Sequence, residues 1–206
     1  MTGVQTCALP IFLTNAVFIP TTNPVRILSY EQYAEPAAVS QVKTIIASLS
    51  GRTVTYTVAN AGAALQAMDL PVNYDVVLVY DQAAADAATL SALGTASSSA
   101  LNSFAKAGGV IVILDGAAGS GAMPSFTTSG GLISLLSHTS IPGGTRVQIV
   151  APADAVGSLA ASPYGTFNRS VTFQSNEPNG GNVVYVTERL VAGVPTVPVI
   201  IHKVVP

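Results

Sequence analysis

YDVVLVYDQ, residues 74–82, and FAKAGGVIVILDG, residues 104–116, are the two segments that decide the fold predicted for this chain. Each contains one short, wholly apolar run, 76–80 in the first segment and 110–114 in the second. Runs this short and this rich in Val and Ile suit strands buried on both faces, as in a parallel sheet covered by helices. The connection is long enough for a crossover helix, so the two segments predict a right-handed β-α-β unit.

The residues before this unit predict more elements of the same kind. We predict strands over 25–30 and 53–58, since both segments are rich in β-branched residues. An apolar stripe at helical spacing lies between them, with Pro36 suited to the first turn and Gly51 to the end of the helix. A short helix over 63–68 is predicted to stop at Pro71, and prolines predict an extended lead-in over 12–24.

After the β-α-β unit, the sequence consists mainly of short segments in which apolar and polar residues alternate. We predict a crossover helix that is split or kinked near Gly94, a short helix over 132–137, and a hairpin at Asn179-Gly180-Gly181. The strands predicted in this part are 146–151, 170–175, 183–188 and 197–205. The predicted fold class is α/β: a three-layer, mostly parallel sheet with helices on both faces and antiparallel edge strands at the C-terminus. Residues 25–206 are interpreted as a single domain.

The composition excludes some partners. The chain has 206 residues, 49% of them hydrophobic, which is enough to bury a substantial core. Charged residues make up 9%, against roughly 25% in an average soluble domain. With a net charge of −2 and no basic cluster, nucleic acid is not expected as a partner. No apolar run approaches the roughly 18 residues of a membrane-spanning helix, so no membrane span is predicted.

The first eleven residues, MTGVQTCALPI, have a separate interpretation. They resemble the in-frame translation of a common sequencing-library adapter, with Met1 standing for a GTG start. We therefore interpret 1–11 as a non-native artefact, which implies a metagenomic read whose native N-terminus is missing. A genuine leader is the alternative. Cys7 is the single cysteine and falls in this segment, so the rest of the chain is expected to form no disulfide.

The sequence also resembles a known family. YDVVLVYDQ, followed by LNSFAKAGGVIVILDG, is similar to the central part of the class I glutamine amidotransferase-like fold, which is also flavodoxin-like. The trehalose-utilisation (ThuA-like) branch has the same order of "YDVVV", a helix ending F-x-x-A-G-G, and an apolar strand. This resemblance covers about 25–151 and implies a parallel sheet.

The resemblance also implies where a nucleophile belongs. Active amidotransferases have a Cys on a tight turn after the strand, with a downstream His and an acid. The matching turn here is Asp115-Gly116-Ala117-Ala118, which contains neither Cys nor Ser, and Ser120 follows later. Amidotransferase activity is therefore not expected.

Polar residues at the predicted carboxyl ends of the strands are the candidate site. In open α/β sheets, ligands bind at that edge. The candidate catalytic carboxylates are Glu31, Asp81 and Asp115, and the candidate ligand-binding residues are Tyr30, Gln82 and Gly116. The carboxylates suit either a hard cation or an acid/base pair, whereas Asp81 and Asp115 also suit the capping of turns, which we favour. No resident metal or cofactor is predicted.

Other motifs are weaker. The loop 116–121 is rich in glycine but lacks the Lys of a phosphate-binding loop. His138 is predicted to follow a short helix and His202 to lie in the last strand, and neither has a ligand-spaced neighbour that indicates zinc. Ser120, His138 and Asp154 occur in Ser-His-Asp order, which does not by itself indicate a triad.

The favoured function is therefore a non-catalytic binding or scaffolding domain of a secreted or periplasmic bacterial protein. An unidentified small molecule or a carbohydrate is the expected partner, and the carbohydrate is what the ThuA-like resemblance implies. The alternative is a hydrolase that uses the carboxylates at the sheet edge, with or without a metal. A structural piece of a larger surface protein is a third interpretation.

Overall fold

A four-stranded parallel sheet forms the centre of the fold, which confirms the α/β class and the predicted β-α-β unit. The computed structural model describes residues 8–49, 51–119 and 121–206. The sheet comprises β1 (Val25–Tyr30), β2 (Val54–Ala59), β3 (Val76–Val79) and β4 (Val110–Ile113). Their order is β2-β1-β3-β4 and every pair is parallel. All four β3 residues are buried, as expected for a strand enclosed on both sides.

Residues of the parallel sheet pack alternately into two apolar clusters, because side chains along a strand point to opposite faces. One cluster joins the sheet to α4 (Ala87–Lys106) and α5 (Met123–Ser129). The other joins it to α1 (Ala8–Val17) and α2 (Pro36–Leu49). Leu28, Val77, Val79, Leu101, Phe104 and Phe126 belong to the first cluster, and Leu13, Val17, Ile27, Ile46, Val76 and Leu78 to the second. The apolar runs predicted from sequence therefore supply both clusters.

Helix α4 runs without interruption for 20 residues, so the predicted split at Gly94 is wrong. Gly94 instead permits a close approach between helices. A Cβ atom placed on it would lie 2.5 Å from the carbonyl oxygen of Phe126 and 3.0 Å from the amide nitrogen of Gly130. Packing against α5 therefore requires a glycine at position 94. The low helix propensity of glycine, on which the prediction rested, does not interrupt the helix here.

The predicted extended lead-in over 12–24 is also wrong in its first half, since Ala8–Val17 is helical. Phe12 and Val17 are buried, and the Phe12 ring lies 5.4 Å from the ring of Tyr164. Asn15 Nδ2 donates hydrogen bonds to the carbonyl oxygens of Val156 at 3.0 Å and Ser158 at 2.7 Å. These long-range contacts stabilise a helix that local composition does not favour.

The C-terminal strands are antiparallel, but they form two sheets of their own and are not added to the edge of the parallel sheet. Strand β5 pairs with β8, and the second sheet has the order β10-β9-β6-β7. The six strands are β5 (Leu135–Ile141), β6 (Arg146–Ile149), β7 (Tyr164–Gly165), β8 (Ser170–Ser175), β9 (Val183–Val191) and β10 (Val194–Lys203). The prediction of antiparallel strands is confirmed, and their placement at the sheet edge is wrong.

Two local predictions in this part are wrong. The helix expected over 132–137 does not form, because β5 begins at Leu135 and pairs with β8 from Leu135 to Ile141, with a register shift between Leu135 and Ser137. A tight turn does form at the hairpin expected at Asn179-Gly180-Gly181, closed by an antiparallel bridge between Gly180 and Val183, but it does not pair β8 with β9, which belong to different sheets. The hairpin lies between β9 and β10, where Ala192 and Gly193 have φ angles of 50° and 84°. Two such residues fit the twist of a two-residue hairpin loop.

The segment before β3 contains two short helical turns. A 3₁₀ turn spans Gly62–Gln66, and α3 spans Leu70–Asn73. Pro71 lies in the first turn of α3, where its missing N–H costs no hydrogen bond, so it does not act as a helix stop. Among the residues described, no helix is both long and apolar enough to cross a membrane.

The contact at Gly94 gives a test of the packing between α4 and α5. We expect Gly94→Ala to lower the free energy of unfolding by about 1–3 kcal/mol, because the new methyl group overlaps backbone atoms that do not move freely. Urea denaturation measures the effect. Ser99→Ala, on the exposed side of the same helix, is the control and should be neutral or slightly stabilising. A stabilised Gly94→Ala protein would contradict the described contact.

Candidate acid-base site

The register of the parallel sheet brings two predicted site residues together. Val79 of β3 is the partner of Ile113 of β4, and each strand is followed two residues later by an aspartate. Asp81 and Asp115 therefore leave the sheet at the same level of its carboxyl edge. Both line a cavity of about 170 Å³, and burial, followed by the charge of Asp115, raises the pKa of Asp81.

Asp115 forms a buried pair with His138 of β5. Its Oδ2 lies 2.7 Å from His138 Nδ1, and the two side chains are 4% and 11% exposed. Burial raises the pKa of Asp115, whereas the hydrogen bond and charge of His138 lower it. The other oxygen, Oδ1, is buried and accepts no hydrogen bond from the part of the chain that the structure describes. The site thus contains an acceptor that a bound molecule would satisfy.

Asp81 has the electrostatic environment of a proton donor. Burial and the charge of Asp115 raise its pKa to about 7, although the charges of His138 and Arg169 act in the opposite direction. A carboxyl group with this pKa is protonated in about half of the molecules at neutral pH. Buried carboxyl groups poised in this way are typical of general acids and bases in enzymes.

Two glycines keep space around these groups. A Cβ on Gly116 would lie 3.1 Å from Asp81 Oδ2, and a Cβ on Gly121 would lie 2.8 Å from His138 Nε2. Gly121 also has a φ of 65°, in the left-handed region that favours glycine. Gly116 was predicted as a ligand-binding residue, and it does line the smaller cavity. The geometry indicates that Gly116 and Gly121, which have no side chain, leave Asp81 Oδ2 and His138 Nε2 unobstructed.

A charged pair forms the rim of the site. Arg169 Nη1 donates to Glu35 Oε2 at 3.0 Å, and both side chains are exposed. Both residues line the smaller cavity and also an open groove of about 600 Å³. The groove's other lining residues are Tyr33, Ala34, Pro36, Ala83, Ala84, Ala117, Ala118 and Gly119. A pocket of this volume accommodates a small organic molecule.

The predicted convergence of Glu31 with the two aspartates does not occur. Glu31 Oε1 instead accepts hydrogen bonds at 2.6 Å from Ser29 Oγ and from Lys43 Nζ. The sheet register explains the difference: Tyr30 is the partner of Val79, so Glu31 lies one residue short of the level of Asp81. A shift of one residue turns a side chain to the opposite face of a sheet.

The alternative that Glu31, Asp81 and Asp115 bind a hard cation has no support in the donor groups present. Within the described ranges, no group of three or more His, Cys, Asp or Glu side chains is arranged to hold a metal ion.

Two other predicted ligand-binding residues are buried and line neither cavity. Gln82 joins the ends of β1 and β3: its Nε2 donates to the Tyr80 carbonyl at 2.8 Å, and its Oε1 accepts from the Tyr33 N–H at 3.0 Å. The Tyr30 hydroxyl donates to Gln32 Oε1 at 2.7 Å, and burial raises its pKa to about 12. The geometry gives both residues a role in holding the strand ends.

The Ser-His-Asp order noted in the sequence does not correspond to a triad. Asp154 Oδ2 lies 2.8 Å from Nδ1 of His202, in the antiparallel part of the chain, whereas His138 pairs with Asp115. Ser120 lies outside the described residues. The predicted position of His138 after a helix is wrong because that segment is β5.

Sequence reasoning missed three residues of the site. His138 was set aside because its partner, Asp115, is 23 positions away along the chain. Glu35 precedes α2 without any motif, and Arg169 belongs to no sequence pattern that indicates this site. No local pattern identifies such residues, since their relation to the site depends on tertiary packing.

Comparisons with family models, with curated proteins and with solved structures give no match to this chain.

The pKa of Asp81 gives a test that requires no substrate. Folding raises this pKa from 3.8 to about 7, so its stabilising contribution is present below pH 4 and is lost as the pH rises to about 7. We expect Asp81→Asn to leave stability unchanged near pH 4 and to increase it near pH 8 by roughly 1–2 kcal/mol, after allowance for screening by solvent. Chemical denaturation at both pH values measures this.

The control for this test is Asp69→Asn, a change of the same type at an exposed aspartate. It should show no comparable gain between the two pH values. Equal effects of Asp81→Asn at both pH values would contradict the raised pKa.

Proposed function

We propose that Asp81, Asp115 and His138 catalyse hydrolysis by general acid and base catalysis. The observation that carries the proposal is the buried Asp115–His138 hydrogen bond beside an aspartate whose pKa is about 7. Titratable groups with opposed roles, meeting at the carboxyl edge of a parallel sheet, are typical of an active site. This favours the hydrolase alternative over the non-catalytic function that the sequence alone favours.

His138 is the proposed general base. Asp115 Oδ2 accepts a hydrogen bond from the protonated Nδ1 at 2.7 Å, so that in the neutral imidazole Nε2 carries the lone pair. In the proposed reaction Nε2 removes a proton from a water molecule while the water oxygen bonds to the electrophilic carbon of the substrate. The resulting imidazolium is stabilised by Asp115, as in other His-Asp pairs.

Asp81 is the proposed general acid. Its protonated carboxyl group donates its proton to the leaving oxygen as the scissile bond breaks. Transfer of the proton from His138 to the Asp81 carboxylate, directly or through water, restores both groups. The net reaction consumes one water and needs no other reactant.

Water is the proposed nucleophile because the turn after β4 offers no side chain for covalent attack. Residues 115–118 are Asp-Gly-Ala-Ala, where the amidotransferase resemblance implies a Cys. We propose that the domain belongs to the class I glutamine amidotransferase-like fold, with a three-layer arrangement, and that its site has a different chemistry. The two apolar clusters on the parallel sheet support the three-layer arrangement.

A non-catalytic binding function in a secreted or periplasmic bacterial protein is the second candidate. The open groove of about 600 Å³ favours it, because its wall combines one aromatic ring, that of Tyr33, with small apolar side chains. A carbohydrate is the natural ligand for this candidate, in agreement with the ThuA-like resemblance. A thermal shift measured with a carbohydrate panel tests it.

Hydrolysis of nitrophenyl esters and glycosides tests the catalytic proposal. We expect Asp81→Asn, Asp115→Asn and His138→Asn each to lower kcat/KM by about 10²-fold or more, since each removes a group that transfers or positions a proton. We also expect kcat/KM of the unaltered protein to fall as the pH rises above about 7, because Asp81 must be protonated.

The second His-Asp pair provides a matched control. His202 and Asp154 make the same type of contact at 2.8 Å, away from the groove, so His202→Asn should leave kcat/KM unchanged. If His138→Asn and His202→Asn have equal effects, or if no probe is hydrolysed while a carbohydrate stabilises the protein, the binding function replaces the catalytic one.

A further inference from the structure

Arg169 occupies the point where the two cavities meet. It lines the open groove and the carboxyl-lined cavity, and its charge affects the pKa of Asp81. Its backbone is fixed to the turn after β4, because the carbonyl oxygen accepts a hydrogen bond from the Ala117 N–H at 3.0 Å. Its φ of 70° is unusual for a residue with a side chain. Arg169 is therefore held at the mouth of the site in a conformation that the sequence does not favour.

Few other side chains around Arg169 are able to orient a bound molecule. Among the described residues that line the two cavities it is the one cation, and most of the groove wall is Ala, Gly and Pro. Such a wall fits an apolar or ring-shaped body but does not orient it. A guanidinium group orients a carboxylate well, because its N–H groups form two parallel hydrogen bonds with the two oxygens.

The present partner of Arg169 is itself a carboxylate. Among the described residues, Glu35 Oε2 is the side-chain partner of Arg169, 3.0 Å from Nη1, and the side chains of Arg169 and Glu35 are 63% and 48% exposed. An exposed ion pair of this kind contributes little to stability, so another carboxylate competes with Glu35 at low cost. The contact with Glu35 thus shows that the guanidinium group of Arg169 binds a carboxylate in this position.

We propose, building on the hydrolytic function above, that the substrate carries a carboxylate that binds Arg169 in place of Glu35. The rest of the substrate would lie along the alanine-lined groove, with its scissile bond directed at Asp81 and His138. Arg169 would then determine specificity and take no part in proton transfer. The preferred substrates are acids, such as uronic acid derivatives or carboxylate-bearing esters, and not their neutral analogues.

Matched pairs of probes test this inference by binding. D-glucuronate is compared with D-glucose, and phenylpropionate with its amide, in titrations followed by NMR of the backbone amides. We expect saturable shifts at Gly116, Ala118 and Gly119 for the acid of at least one pair, and weaker binding of its neutral partner. Binding of the acid should be reduced at least about tenfold in Arg169→Gln, as expected for the loss of a charged hydrogen-bonding partner.

Two further variants distinguish binding of a substrate carboxylate by Arg169 from a purely structural role of the Arg169–Glu35 ion pair. Glu35→Gln removes the competing carboxylate and should tighten binding of the acid, whereas loss of a structural pair would not. Arg146→Gln alters an exposed arginine outside both cavities and should change nothing. Equal affinities for acid and neutral probes, unchanged binding in Arg169→Gln, or no saturable shift with any probe would overturn the inference.

The inference and the proposed function fail in different ways. Asp81→Asn should lower kcat/KM by about 10²-fold or more but keep the preference for acids, because Arg169 is intact. If acids bind through Arg169 while no probe is hydrolysed, the hydrolytic function is wrong and carboxylate recognition holds. If neutral and acidic substrates are hydrolysed with equal kcat/KM, hydrolysis holds and the specificity assigned to Arg169 is wrong.

Discussion

The parallel pairing of β3 with β4 is the constraint on which the rest of the molecule depends. Both strands are short and apolar, so their side chains avoid water only when helices cover the two faces of the sheet. The pairing of Val79 with Ile113 then fixes where each strand ends. Two aspartates in sequence positions 34 residues apart are brought to the same edge by this register alone. The packing of the two strands thus fixes the positions of Asp81 and Asp115, independently of the hydrogen bonds that their carboxyl groups make.

The candidate site combines two parts of the chain that have different architectures. The parallel sheet provides Asp81 and Asp115, while the segments that follow it contribute His138 from β5 and Arg169 from the residue before β8. Burying a carboxylate is costly unless it is paired, and His138 offsets that cost for one oxygen of Asp115. The antiparallel strands therefore do more than enlarge the fold, because they supply the partner that makes a buried aspartate tolerable.

The sequence predicted the elements whose signals are local. The apolar runs of β3 and β4, the stripe of α2 and the strand Ser170–Ser175 follow from residue spacing, and the structure has them. The errors occur where distant contacts override local preference. Helix α1 is stabilised by residues near position 160, β5 by pairing with β8, and Gly94 by a contact with α5. The site divides in the same way: Asp81 and Asp115 follow predictable strands, whereas the pairing of His138 joins segments that no short motif connects.

Helix α1 has a consequence for the order in which the chain folds. It is the first described element to leave the ribosome, yet Asn15 bonds to the carbonyl of a residue 143 positions later, and Phe12 packs against Tyr164. A helix of ten residues is marginal in water without tertiary contacts. The side of α1 that carries Phe12 and Asn15 therefore lacks its partners, Tyr164 and Ser158, until most of the chain has been synthesised. Helix α1 therefore completes its packing only after residues near position 160 have been synthesised, and until then it exposes an apolar surface.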